Sequence, residues 1–435
     1  MADNKQNKNP NVPNLSFKRE QSESCFDSAE RVINQKQNVP NLRFPEFTED
    51  WVQYKCSDLL EFYSTNSLSW EQLDYDNNDL LNLHYGLIHV GLPTLVNVEQ
   101  HNLPSVKPEF KPKNYTLCKS GDIAFADASE DTNEVAKPIE FYDCSDKQVV
   151  CGLHTIHGRD KLNTTEIGFK GYAFSSMPFH HKIRRLAQGS KIYSISSKNF
   201  SEVTIGIPQK EEQRKIVDLL SKLQERITTQ NKIIEDLKKL KVAIIENTFC
   251  GKHYNYKIGD IITQISNRNK SNKETNVLSV SNKLGFVEQS EQFEDRTVAS
   301  EDVTNYKIVR TNDFAYNPAR INVGSIARLK QYESGIVSPM YICFHAKKNV
   351  LPEYLEMFFL TQYFKHEMYK RLEGSVRLCL SFEGLTNIPI SIPEIPLQKE
   401  ISEKILAFET KIGIEEHYLN ALEKQKQYLL QQMFI

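Results

Sequence analysis

Residues 207–234 read IPQKEEQRKIVDLLSKLQERITTQNKII, and residues 392–419 read IPEIPLQKEISEKILAFETKIGIEEHYL. Laid together they share Ile207/Ile392, Pro208/Pro393, Gln213/Gln398, Ile216/Ile401 and Ile227/Ile412. In each, a proline closes an apolar run and the period of the pattern then changes. Apolar residues recur at Ile216, Leu220, Leu223, Ile227, Ile234, Leu237 and Ile244 in the first stretch. In the second they fall at Ile401, Ile405, Phe408, Ile412, Leu419, Leu422 and Leu429. Alternating steps of three and four spell a coiled-coil heptad. Gln230 and Lys241, with their counterparts Glu415 and Lys426, place polar groups in that seam. A helix of about 40 residues rising ~1.5 Å each makes a rod of about 60 Å.

The match reaches beyond the rods. A gapless shift of 185 residues (Gly189 onto Gly374) lays Gly168–Phe249 on Glu353–Phe434. Between Arg184 and Phe249, 13 of 66 aligned pairs are identical, where average composition gives about four. The pairs include Gly189-Ser190 on Gly374-Ser375 and Phe249 on Phe434. A period this long marks a duplicated half-protein rather than a solenoid. The fold class is therefore mixed α/β (α+β), with two globular domains and two long coiled-coil helices. A whole domain must fold between the rods, so they pair antiparallel about a pseudo-two-fold axis.

The expected units are a polar tail over 1–45, a first domain over 46–208 and a rod over 209–251. A second domain over 252–391 and a second rod over 392–435 follow. Both domains open alike, with Lys55-Cys-Ser-Asp58 and Lys257-Ile-Gly-Asp260. In the first, Leu87–Val90, Asp122–Phe125, Lys147–Cys151 and Val203–Ile207 read as strands, and Tyr172–Leu186 as a helix. The Asn-, Gln-, Lys- and Ser-rich tail is expected to be poorly ordered. It carries a local echo, Val12–Phe17 against Val39–Phe44, after which Pro45, Phe47 and Trp51 are placed to dock on the first domain.

The chain has 435 residues, 39% hydrophobic and 25% charged, with no apolar run able to span a bilayer. No secretory signal opens it, and the eight scattered cysteines form no C-x-x-C pair. These features point to reduced thiols in a cytoplasmic protein. His154 and His157 form H-x-x-H and His180-His181 are adjacent. Neither pair brings a third ligand in sequence, so both read as structural and no metal is expected. No phosphate loop, dinucleotide turn, nucleophile elbow or Asn-Pro-Pro-aromatic methyltransferase motif is present, and Asn317-Pro318 is followed by alanine. The balance tips from enzyme to binding protein.

Basic residues cluster at the repeated Gly-Ser turns. Lys182, Arg184, Arg185, Gly189, Ser190 and Lys191 have counterparts in Lys370, Arg371, Gly374, Ser375 and Arg377. Such a turn offers N–H groups and a hydroxyl to a phosphate, with arginine adding charge-assisted bonds. Arg320, Asn322 and Ser325 lie in a Pro/Gly loop and could read base edges. The competing reading is a structural loop in which Asn317 and Asn322 satisfy their own backbone. Tyr85, His89, Asp127, Ser129 and Lys137 are further candidates in the first domain. A net charge of −2 opposes strong DNA binding by the isolated chain.

With these motifs in place, the chain resembles the DNA-specificity subunits of type I restriction–modification systems. The likeness rests on Ile207-Pro208…Glu212-Gln213…Ile216, where the second copy has Leu397 for the acidic residue. It rests also on the rod ends Glu246-Asn-Thr-Phe249 and Gln431-Gln-Met-Phe434, and on the two Gly-Ser turns. The loop Asn317–Ile326, Asp127–Asp131 and Gly152–Ile156 add to it. The resemblance implies a non-catalytic subunit that reads an asymmetric two-part target in double-stranded DNA. It implies two methyltransferase subunits and added restriction subunits as partners, and no membrane. S-adenosylmethionine, ATP and Mg would belong to those partners. The rod positions Gln213, Ile216, Leu220, Leu223, Ile227, Leu237 and Phe249 are candidate coiled-coil or partner contacts. So are Gln398, Ile401, Ile405, Phe408, Ile412, Leu422 and Phe434. The alternative is a coiled-coil protein-interaction scaffold that binds no DNA; a self-sufficient DNA-modifying enzyme is disfavoured by the missing motifs.

Overall fold

The architecture is that of a computed structural model describing residues 38–76, 79–144, 146–251, 253–289, 302–375 and 377–435. Two mixed α/β lobes alternate with two long helices, Lys210–Phe249 and Ile395–Gln432. Late residues of one rod meet early residues of the other. Lys426 donates to Gln224 (2.7 Å), Lys241 to Glu409 (3.2 Å) and Lys238 pairs with Glu416 (2.6 Å). The rods are therefore antiparallel.

The seam follows the heptad for most of its length. Ile216, Leu220, Leu223, Ile227, Gln230 and Ile234 are buried, as are Ile405, Ile412, Leu422 and Leu429. Leu237, Ile401, Phe408 and Leu419 are only half-buried. Towards the end of the first rod Ile245 is buried and Ile244 is not. There the helix turns its apolar face from its partner helix to the second lobe, whose core contains Ile245 and Phe249.

The rod ends are structural. Phe249 is 2% exposed and its ring lies 4.9 Å from Tyr354 and 5.4 Å from Phe358. Phe434 is 4% exposed, against Trp51 (6.2 Å) and Phe169 (6.0 Å). The matched phenylalanines, candidates for coiled-coil or partner contacts, thus anchor each rod in a lobe. Gln213 and Gln398, also candidates for such contacts, are buried at the rod roots. Gln213 donates to the carbonyls of Thr164 (3.0 Å) and Pro208 (2.8 Å) and accepts from Glu166 N–H (2.8 Å). Gln398 donates to the carbonyls of Asn349 (3.1 Å) and Pro393 (2.7 Å) and accepts from Leu351 N–H (2.8 Å). Every partner in the second set is the repeat counterpart of one in the first.

Each lobe closes on itself at the rod root. Val52–Lys55 pairs antiparallel with Thr204–Ile207, and Tyr256–Lys257 with Pro389–Ile390. The first lobe holds a five-stranded sheet ordered Leu60–Tyr63, Thr155–Asp160, Ile123–Ala126, Pro138–Asp143 and Leu95–Asn97. A four-stranded sheet ordered Val149–Cys151, Leu81–Leu83, Ser105–Val106 and Leu73–Asp74 lies beside it. The second lobe has a four-stranded sheet ordered Ile262–Ile265, Ile342–Ala346, Phe314–Tyr316 and Ile326–Arg328. Its other sheet runs Gly285–Glu288, Val277–Ser281, Ser334–Val337 and Lys307–Arg310.

Three local expectations change. The helix expected over 172–186 is two, Phe169–Phe174 and Met177–Arg184. Ser176 accepts from Phe179 N–H and Pro178 occupies the first turn, so a new helix starts there. Of the run 87–90, Leu87–His89 lie in a short helix, Tyr85–His89, whose first turn the His84 ring caps at Gly86 N–H (3.2 Å), and Val90 ends it. Residues 38–45, counted with the tail by composition, are docked. Leu42 N–H bonds to Gln432 O (2.9 Å), and Arg43 pairs with buried Glu212 at 2.7 Å. The first copy of the leader echo, at 12–17, lies outside the described residues. Among the described residues, no helix is long and apolar enough to cross a membrane.

Candidate nucleic-acid interface

The two Gly-Ser turns are the tips of matching hairpins. Gln188 and Ser194 exchange backbone bonds of 2.9 and 2.8 Å, and so do their counterparts Glu373 and Cys379. Gly189 has φ 140° and Gly374 φ 114°. A Cβ on Gly189 would lie 1.9 Å from Ile192 O, and one on Gly374 2.4 Å from Arg377 O. Only glycine lets the chain fold back this tightly. The tips carry exposed Ser190, Lys191 and Ile192 in one lobe, and Ser375, Arg377 and Leu378 in the other.

In both lobes the strand leaving the hairpin is tied to the same loop. Ile195 N–H bonds to Asp127 O (2.9 Å), and its counterpart Leu380 N–H bonds to Pro318 O (3.0 Å). The stretch Asp127–Asp131 therefore occupies in the first lobe the place of Pro318–Asn322 in the second. Two groups of candidates that are far apart in sequence thus converge. In the second lobe a cavity of about 580 Å³ is lined by Asn317, Ala319, Arg320, Ser325, Met340 and Arg377, among others. Arg320 and Arg377 are both exposed at it.

Several of the candidate side chains are engaged within the fold. Lys182 donates to Thr204 O at 2.9 Å, and burial lowers its pKa. Lys370 lies 2.6 Å from Glu367, and Arg371 bonds to the same carboxylate (2.6 Å) and to the Asn387 carbonyl (3.3 Å). Ser325 is buried and donates to Val280 O (3.1 Å). Asn317 caps Ala319 N–H (3.0 Å), the structural role its loop allowed. Asn322 is half-buried, and its carbonyl accepts from the Tyr369 hydroxyl (3.3 Å). Arg184 donates to Asn133 (2.9 Å), tying helix to loop, whereas Arg185 and Lys191 are exposed.

The first-lobe candidates gather around one helix. The His89 ring bonds to Ala128 O (2.9 Å) and faces Glu134 (3.5 Å), to which Lys137 also pairs (2.7 Å). The His89 hydrogen bond, opposed by burial and joined by Lys137, holds Glu134 down to about 2. His154 meets Asp127 at 3.1 Å, and Tyr85 packs edge-on to His154 with centroids 5.2 Å apart. Trp70 and His84 continue this aromatic run at 4.4 Å, and Trp70 is 46% exposed. No motif or repeat marks either residue in the sequence. A tryptophan between polar residues was the available signal, since exposed aromatic faces can stack on bases.

The model of the family described as "Type I restriction modification DNA specificity domain" matches residues 145–239 and 252–424. The chain is 24% identical over 291 residues to the type I restriction enzyme MjaVIII specificity subunit of Methanocaldococcus jannaschii. That match covers 60% of this chain and 68% of the relative. Its fold is similar to the crystal structure of the type I restriction–modification S subunit from M. genitalium, with TM-score 0.52 at 14% identity. That likeness covers 91% of this chain and 99% of that one. A chain from a structure of complex assembly and conformational transition in the type I R-M system aligns with TM-score 0.54 at 14% identity. There the coverage is 87% of this chain and 96% of that one.

Proposed function

Because this chain belongs to the type I restriction modification DNA specificity family, we propose that it reads a bipartite, asymmetric DNA target, one half per lobe. One observation carries the reading. Each rod ends inside the core of a lobe, Phe249 in the second and Phe434 in the first. The paired rods and both lobes are thereby welded into one ruler. Reading heads held tens of ångströms apart on one face of DNA suit half-sites about one helical turn (~34 Å) apart. An unread gap lies between the half-sites. The lobes differ outside the repeated flanks, so the half-sites differ too.

In this reading, residues 46–208 and 252–391 are the recognition domains. The exposed cations at the hairpins, Arg185, Lys191, Arg320 and Arg377, meet phosphates and base edges. Two methyltransferase subunits dock on the pseudo-symmetric frame, and restriction subunits join them in the cytoplasm. Catalysis, with S-adenosylmethionine, ATP and Mg, belongs to those partners. The net charge of −2 supports firm DNA binding only within the assembly.

The test is methylation profiling of the host genome with and without this gene. The expected result is one split, asymmetric motif that disappears on deletion. A contiguous or palindromic motif dependent on this gene contradicts the two-headed ruler. A co-purified complex that retards no DNA at low salt favours the scaffold.

A further inference from the structure

Of the H-x-x-H pair, His154 turns to Asp127, whereas folding brings two cysteines to His157. Cys118 precedes the strand Ile123–Ala126, Cys151 ends Val149–Cys151, and His157 lies in Thr155–Asp160. Cys118 N–H bonds to Val149 O (2.8 Å), which lays one cysteine alongside the other. Their sulfurs are 3.5 Å apart. With a ring nitrogen of His157 they form a set whose ligand atoms all lie within 4.8 Å of one another. Cys118, Cys151 and His157 are 5%, 2% and 0% exposed.

We propose that Cys118, Cys151 and His157 bind a zinc ion that staples the two sheets of the first lobe. His157 Nε2 donates to Asp122 Oδ2 at 2.8 Å, leaving Nδ1 buried with no hydrogen-bond partner. An orphaned buried nitrogen costs about 1–3 kcal/mol, and a metal bond removes that cost. Asp122 is itself fixed by Arg159 through two bonds of 2.7 Å and by Lys119 N–H at 2.9 Å. A carboxylate holding one nitrogen of a histidine while the other faces a metal is the usual outer arrangement of zinc sites. Two sulfurs and an imidazole are soft-to-borderline donors that select zinc over Mg or Ca. Zn–S bonds of ~2.3 Å at a tetrahedral ion place two sulfurs about 3.8 Å apart, close to the spacing here. A disulfide needs ~2.05 Å.

Coordination displaces one proton from each thiol, so Zn²⁺ and two thiolates form a neutral unit beside the Asp122–Arg159 pair. Three protein ligands leave one tetrahedral position for a water. The second lobe repeats the frame without the Cys118 and His157 of the first. Asp313 takes Arg310 N–H (2.7 Å) as Asp122 takes Lys119 N–H. There Val309 precedes Arg310 as Cys118 precedes Lys119, and Cys343 faces Ile265 where His157 faces Tyr63. Among the described residues, such a set is found in the first lobe alone.

The full chain, purified under reducing conditions without chelator, is assayed for zinc by elemental mass spectrometry. It is also titrated with Co²⁺ after metal removal. About one zinc per chain is expected, together with a thiolate-to-cobalt charge-transfer band. Cys118→Ser, Cys151→Ser and His157→Gln are expected to lower occupancy roughly ten-fold or more, and Cys343→Ser to keep it. The cobalt band on the unaltered chain tests the site even where a variant fails to fold. Absence of both zinc and the cobalt band overturns the proposal. So does full occupancy in the Cys118→Ser/Cys151→Ser double variant, or a Cys118–Cys151 disulfide found under the same reducing conditions.

Discussion

Gln230 donates to the carbonyl (3.2 Å) and the carboxylate of Glu415, the residue 185 positions later that occupies its own place in the other copy. A residue bonded to its repeat counterpart lies on the pseudo-two-fold axis. The flanking bonds obey that axis. Lys241 reaches Glu409, while its counterpart Lys426 reaches Gln224, the counterpart of Glu409. The duplicated seam thus pairs with itself through unlike residues, an amide against an acid.

Gln230→Glu should set two carboxylates against each other on the axis. A drop of a few degrees in the unfolding midpoint is expected, recovered in part by salt. Glu415→Gln leaves an amide pair and should change little. Thermal unfolding at low and high ionic strength separates the two outcomes.

Gln213 and Gln398 are each fully buried and satisfy three backbone groups at a rod root. Replacing either by alanine orphans those groups and should cost about 2–3 kcal/mol in urea unfolding. The sites share no partner, so the double variant should show nearly the sum.

Gly189→Ala and Gly374→Ala drive a Cβ into the hairpin's own backbone. The tips are exposed, so the cores should survive while the tips re-form. In the assembled complex, gel-shift titration should show specific DNA binding weakened about ten-fold or more, with the circular dichroism spectrum unchanged.

Arg320→Ala and Arg377→Ala remove exposed cations at the second-lobe cavity. Each should weaken binding about ten-fold, and loss of a phosphate contact should flatten the salt slope by about one. Lys370→Ala should stay within about two-fold, because Lys370 is already paired with Glu367. Affinities measured across a salt series check all three.

Burial pushes the His180 ring down to about 4, and its Nδ1 has no partner. The unfolded chain, with an ordinary value of ~6.5, takes up the proton first as pH falls. Stability from this group is full above ~6.5, declines between there and about 4, and is level below. The loss is at most about 3 kcal/mol. His180→Gln should flatten that part of the stability–pH curve, read by denaturant unfolding from pH 7 to 4.

Much of the frame was legible because it is periodic. Ile216 through Ile234 and Ile405 through Leu429 announce helices by spacing alone, and the repeated Ile-Pro and Phe mark where each rod starts and ends. The hairpin glycines were legible for the same reason, recurring on a fixed interval. The charge of a basic run was legible, but not its use. Lys182 and Arg185 lie three residues apart, yet Thr204 holds the first and the second is exposed. Which cation is engaged depends on what the sheet brings beside it. Periodicity carries no information about that.

The sequence alone determined that this chain is two copies of one plan, each an α/β lobe followed by a heptad helix, because repetition and helical period are properties of the linear order. Tertiary structure alone decided what the non-repeating residues do. It buried Phe249 and Phe434 as anchors, paired Lys370 with Glu367, and brought Cys118 and Cys151 to His157 across two sheets. Such contacts join residues that no local pattern links. Their energies come from burial and from polar groups meeting at a few ångströms, conditions that exist only once the chain has closed on itself.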